Sequence, residues 1–155
     1  MKNTKEEIVE FSKKQGFDLV GFSSVKIDKK PYNEYKKWLR LKYEADMLYM
    51  SKKEAVEKRK SAEKVLKDGK TVISLAVNYY RDQSVLKSDE ARVARYAFGR
   101  DYHKVLKTWL KKIEDFMHSK FAAKTIGFVD TGPMLERSFA AKSGIGMIGK
   151  NRCLI

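Results

Sequence analysis

The chain has 155 residues, 43% hydrophobic and 12% aromatic, enough for one sizeable core, and nothing in its length demands a second domain. Lys and Arg number 34 against 20 Asp and Glu, a net charge of +14 with doublets such as Lys29-Lys30, Lys36-Lys37, Lys52-Lys53 and Lys111-Lys112; this suits a polyanionic partner, or else a lysine-rich surface that only solvates the fold. One cysteine, Cys153, excludes an internal disulfide and any four-cysteine metal or iron-sulfur site made by this chain alone, and no apolar run approaches the roughly 20 residues of a bilayer crossing.

Thr4 and Glu7 pattern as a capping box ahead of Ile8 and Phe11, with Gly16 as a stop, which predicts a short amphipathic helix. Phe17 to Val25 reads as a strand. Pro31 fits a first helical turn, and Tyr32, Tyr35, Leu39 and Tyr43, with Trp38 beside them, predict a second helix that buries an aromatic face. Ser51 to Lys70, dense in Lys and Glu, reads as exposed helical turns. Thr71 to Tyr80 is β-branched, aromatic and apolar on both faces, the pattern of a central strand. Arg81 to Glu90 reads as a loop and Arg92 to Phe98 as a strand. Val105, Leu106, Trp109, Leu110, Ile113, Phe116 and Met117 mark a long amphipathic helix. Lys124 to Val129 is a further predicted strand, Pro133 to Ser143 a helix stopped by Gly144, and Asn151 to Ile155 a final strand that buries Cys153 as a small apolar residue. An apolar strand is an unusual place for a terminus. The chain thus reads as interrupted: a truncated product, or one partner of a separate polypeptide that supplies the rest.

Three polar segments stand out. Asp130, in Val129-Asp130-Thr131-Gly132-Pro133-Met134-Leu135-Glu136-Arg137, lies between a predicted strand and a helix, where loops on rigid elements present functional groups. Its structural alternative is a cap for the Pro133 helix. Gly99-Arg100-Asp101-Tyr102-His103 can present several donors to one ligand, or can simply cap a helix through Asp101. Gly144-Ile145-Gly146-Met147-Ile148-Gly149-Lys150-Asn151 has GxGxxGK spacing, but it follows a helix and precedes a strand. That is the reverse of the order that aims a helix amino terminus at phosphates, which argues against nucleotide binding.

Taken together, in this order and with Asp46-Met47-Leu48-Tyr49-Met50 and Glu57-Lys58-Arg59 ahead of them, these segments resemble the amino-terminal half of the epoxyqueuosine reductases. The resemblance implies an α+β fold, a single domain over residues 1–155 with a mainly antiparallel sheet packed by helices, that binds cobalamin and faces the substrate. It implies a role in converting epoxyqueuosine to queuosine at the tRNA wobble position, with tRNA as partner; the short apolar runs and the charged amino-terminal helix pattern lead to the cytoplasm as the expected location. Asp130 becomes the proton donor, its pKa raised by burial beneath the corrin against the pull of the following helix. Arg59, Ala94, His103, Lys150, Asn151 and Leu154 become cobalamin contacts, Arg137 a substrate or cofactor contact, and Glu136 a helix-dipole partner; no metal is expected on protein ligands. The two four-iron four-sulfur clusters of the family cannot be ligated by this chain, which is therefore expected to be incomplete as a reductase. A noncatalytic cobalamin- or tRNA-binding remnant and a corrinoid-handling protein are the alternatives.

Overall fold

The computed structural model describes residues 3–80 and 93–155; the loop predicted over 81–90 lies outside them. Along the chain run α1 (Thr4–Gln15), β1 (Leu19–Ser24), α2 (Lys29–Arg40), α3 (Lys53–Lys60), β2 (Thr71–Ala76), α4 (Tyr102–Phe121) and α5 (Glu136–Lys142). Short 3-10 turns lie at Leu48–Met50, Ala62–Lys64 and Arg95–Ala97. β1 and β2 pair as a two-stranded antiparallel sheet, so the fold is α+β. The Asp18 amide, just before β1, donates to the Ala76 carbonyl at the far end of β2 over 2.9 Å, as antiparallel register requires. Residues sort into two compact units: Met1–Asp18 with Ala76–Val129, and Leu19–Leu75 with Asp130–Ile155.

The first unit is built on α1 and α4. Asn3, not Thr4, caps α1: its side chain accepts from the Lys5 amide at 2.7 Å while the Glu6 carboxylate takes the Asn3 amide at 3.0 Å. Asn is the stronger cap and the box shifts back by one residue. Gly16 closes the helix at φ +116, and a Cβ there would lie 2.6 Å from the Trp109 ring, so glycine is required on both counts. Phe11 stacks on Phe116 at 4.1 Å, Phe17 meets Trp109 edge to face at 5.5 Å, and Ile8 and Ile113 are buried. Lys120 pairs with Glu7 at 2.8 Å. Two predicted strands are absent. Residues 95–97 form a 3-10 turn instead, and 124–129 run irregularly, with the Gly127 amide bound to the Glu114 carboxylate at 2.6 Å. Apolar β-formers make a strand only where a neighbour offers a ladder, and none is offered to them among the described residues.

The second unit has a small core of Val25, Ala62 and Phe139, with Ile27, Val72 and Met134 against it. The Ala62 amide donates to the Val25 carbonyl at 2.9 Å, tying the segment after α3 to the end of β1. Gly21 of β1 is buried. An added Cβ would come within 2.6 Å of Ile145 and 2.7 Å of the Ser143 carbonyl, so its absence lets the chain after α5 approach β1. In α2 only Tyr35 is fully buried, and Tyr43 beyond it is exposed; the predicted aromatic face is narrower than its spacing suggests. β2 is no central strand, because a two-stranded sheet has only edges. None of its residues is fully buried and its order ends at Ala76, short of Tyr79 and Tyr80.

Candidate active site

Asp130 stands on an exposed turn at φ +57, a left-handed backbone that costs an ordinary residue roughly 1–2 kcal/mol and that Asp tolerates better than most. The helix after it starts at Glu136, three residues later than predicted, with Leu135 at the cap position and no side-chain capping bond. Asp130 is therefore too far upstream to cap α5, and its structural alternative is lost.

Glu136 occupies the first turn of α5. Burial pushes its carboxyl above the ordinary range, the Asp130 carboxylate adds to this, and the Arg59 guanidinium opposes it. A helix-dipole partner would be shifted down; here desolvation of the carboxyl and a like charge win, although the residue as a whole is exposed. Asp130 and Arg59 are thus each within electrostatic reach of Glu136. The sequence reading missed that grouping for Glu136, because no spacing rule connects α3 to this turn.

Arg59, in the last turn of α3, is only 6% exposed. Its Nη1 donates to the Ala55 carbonyl at 3.1 Å and its Nη2 to the Met50 Sδ at 3.2 Å, and the guanidinium lies 5.4 Å from the Tyr35 ring centre. The Tyr35 hydroxyl donates to the Met50 carbonyl. Burial raises the Tyr35 pKa and Arg59 pulls it back. Glu44 is 8% exposed, and its Oε2 finds no hydrogen-bond partner among the described residues. None of Tyr35, Glu44 and Met50 was predicted as a site residue, and only the chain's return past α2 brings Tyr35 and Met50 to Arg59.

Lys150, Asn151 and Leu154 belong to a hairpin. Ile148 bridges Leu154 in antiparallel fashion; Met147 and Ile155 exchange two 2.8 Å bonds, and the Gly149 amide donates to Cys153 at 2.9 Å. Asn151 Oδ1 accepts from the Cys153 amide at 3.1 Å, closing the tip. The amides of Gly146, Ile148 and Lys150 find no acceptor among the described residues, as expected for alternate residues on the outer edge of a ladder. Arg137 Nη1 donates to the Arg152 carbonyl and so ties α5 to this tip. Cys153 is exposed, contrary to the expectation of burial, because a lone hairpin has no covered face to hide it.

Ala94 and His103 belong to the first unit. Ala94 precedes the 3-10 turn and its carbonyl accepts from the Ala97 amide at 2.9 Å. Asp101 caps α4 through the His103 amide at 2.9 Å and also meets His103 Nδ1 at 3.0 Å. These hydrogen bonds hold the Asp101 carboxyl below its usual range. With the proton on Nδ1, His103 carries its lone pair on Nε2. No group of three or more His, Cys, Asp or Glu side chains among the described residues is placed to hold a metal ion, and no described helix is long and apolar enough to cross a membrane.

A family model described as "Epoxyqueuosine reductase QueG, DUF1730" matches residues 59–131. An epoxyqueuosine reductase of Leadbetterella byssophila is 31% identical over 100% of this chain and 51% of its own length, and that of Gloeobacter violaceus 34% identical over 100% and 48%. The chain thus spans about half the length of these curated relatives. Among solved structures, an epoxyqueuosine reductase with a tRNA-TYR epoxyqueuosine-modified tRNA stem loop superposes with a TM-score of 0.78 at 29% identity, over 97% of this chain and 40% of that one. The enzyme from Streptococcus thermophilus gives 0.75 at 29% identity over 99% and 42%.

Proposed function

From a chain homologous to the epoxyqueuosine reductases across its own length and about half of theirs, we propose that it is the cobalamin-binding, substrate-facing part of such an enzyme. Its role is the conversion of epoxyqueuosine to queuosine at the tRNA wobble position, in the cytoplasm. The observation that supports this best is Asp130: an exposed carboxyl on a left-handed turn, uncommitted to helix capping, in electrostatic reach of Glu136, which Arg59 also reaches.

The residues present suit a corrin, which has an apolar face and an amide-rich rim. The hairpin offers the outward amides of Gly146, Ile148 and Lys150, the side chains of Lys150 and Asn151, and exposed apolar Met147 and Ile155 beside Leu154. Arg59 keeps further N–H donors beyond the two already used. For Ala94 and His103 the cofactor role follows from the family resemblance.

Removing an epoxide oxygen as water consumes two electrons and two protons. Bound cobalamin supplies the reducing chemistry, fed by two four-iron four-sulfur clusters. Asp130 hands a proton to the oxygen as its bond to carbon opens. Glu136, whose proton is held more tightly than usual, keeps a second acid nearby, and Arg137 holds the hairpin tip in place. With a single cysteine this chain ligates neither cluster. The clusters that relay the two electrons are therefore held by cysteines outside these 155 residues, and the 155 residues alone bind without completing the reduction.

Titration with cobalamin is expected to change the cofactor's absorption spectrum, and an unchanged spectrum rejects the assignment. With a low-potential chemical reductant in place of the clusters and an epoxyqueuosine-bearing tRNA, Asp130→Asn is expected to slow conversion by about 100-fold or more. Equal turnover by both proteins removes Asp130 from the acid role.

A further inference from the structure

In the first unit, three tyrosine rings lie open to solvent where the sequence predicts strand interiors: Tyr79 is 61%, Tyr80 60% and Tyr96 55% exposed. They are not scattered. Tyr79 meets Tyr96 edge to face at 6.5 Å, Tyr96 meets Tyr102 edge to face at 6.0 Å, and Tyr102 stacks on His103 at 4.1 Å. The Arg95 guanidinium lies 4.7 Å from the Tyr80 ring centre. Exposed aromatic groups this close together mark interaction sites more often than chance surface; edge-to-face contacts hold the Tyr79 and Tyr96 rings and the Arg95 guanidinium holds the Tyr80 ring, so less freedom remains to be lost on binding.

Charge identifies the occupant. Between residues 93 and 110 the cations are Arg95, Arg100, Lys104 and Lys107 and the only acid is Asp101; Lys111, the next cation along, is paired with Asp115. Asp101 is already engaged with the amide and ring of His103. A polyanion is drawn to such a segment. Open π-faces beside it select bases that are not already stacked and paired, that is, single-stranded or looped RNA rather than duplex.

We propose that Tyr79, Tyr80 and Tyr96, with Arg95, form a stacking platform for unpaired RNA bases. The proposal rests on the reading above in taking RNA as the partner, and it assigns the tyrosines to nucleotides of the loop rather than to the cofactor. Tyr80 and Tyr96 receive base faces, Arg95 adds its planar cation, and Lys104 and Lys107 attract the backbone.

The test compares two stem loops by fluorescence anisotropy with the full 155-residue chain: an unmodified tRNA anticodon stem loop, and the same stem with abasic loop positions. The native protein is expected to bind the base-bearing loop about tenfold tighter or more. Tyr96→Ala and Tyr80→Ala are expected to abolish that preference with the salt dependence intact, whereas Tyr96→Phe keeps it. Among the described residues the Tyr80 ring meets only Arg95, so its removal leaves the fold in place if Tyr96→Ala does not. Equal affinity of the native protein for the two loops, or a preference unchanged in both alanine variants, overturns the platform. Cobalamin absorbance measured in parallel separates the two readings: a cobalamin response without base preference rejects the platform alone, and base preference without a cobalamin response rejects the enzyme assignment alone.

Discussion

The two units hold their shape by different means. The first relies on side chains that interlock at helical spacing: Phe11 on Phe116, Phe17 against Trp109, and Ile8 and Ile113 buried. The second has a small core and depends on the path of its backbone. Of the six described non-glycine residues with positive φ, five fall there: Lys42, Ala45, Asp68, Asp130 and Arg152. Only Ala122, closing α4 at φ 49, belongs to the first. Regular packing tolerates no such conformations inside an element, whereas turns that present polar groups often need them. The unit that carries Asp130 is therefore the one that stores strain.

That contrast can be broken most forcefully at Gly21, where the second unit depends on a close backbone approach. Gly21→Ala places a methyl group 2.7 Å from the Ser143 carbonyl, and backbone cannot swing aside as a side-chain tip can. A loss of about 1–3 kcal/mol is expected by denaturant titration; a midpoint equal to that of the native protein would show that the segment after α5 is not tightly seated.

A matched pair of glycine substitutions sharpens the comparison. Ala122→Gly and Asp130→Gly each relieve a left-handed residue, and each is expected to raise stability by up to about 1 kcal/mol. Only Asp130→Gly should abolish epoxide reduction in the reconstituted system. If both stabilise and neither affects turnover, the strain at Asp130 has no connection with chemistry.

The smallest effect is electrostatic. Because the Glu136 carboxyl has a raised pKa in the folded protein, the folded state holds that proton more tightly than the unfolded chain. Stability is then greatest below the ordinary Glu value of 4.5 and falls as pH rises through the raised value, levelling off above it. Glu136→Gln is expected to remove this component, so the variant gains on the native protein as pH rises above 4.5. Thermal midpoints that run parallel over that range would mean that Asp130 and burial do not act on Glu136 as described.

Much of the first unit was legible in the sequence because a helix repeats. The stripe from Val105 to Met117, the stop at Gly16 and the helix cap at Asp101 follow from local rules, and the structure moves only the first cap, from Thr4 to Asn3. Strands fared worse. Phe17 to Val25 and the front of Thr71 to Tyr80 formed a sheet, but residues 93–98 and 124–129 did not and the strand predicted over Asn151 to Ile155 is reduced to a single bridge at Leu154, since β-propensity describes a surface that fits a neighbour and cannot supply the neighbour. The same limit applies at the site. Asp130 could be singled out from its place between elements and its family resemblance, yet its backbone conformation, its freedom from capping and its nearness to Glu136 could not.

The sequence by itself determined the charge, the helical faces, the lack of cysteines for a cluster and the kinship with epoxyqueuosine reductases. Tertiary structure alone decided which carboxyls share a neighbourhood, that Arg59 is buried against Tyr35 and Met50, and that the tyrosines at positions 79, 80 and 96 are open to solvent. The physical reason is range: helix periodicity and capping act over a few residues, whereas desolvation and Coulomb interaction depend on distances in space that the chain sets only when it has folded.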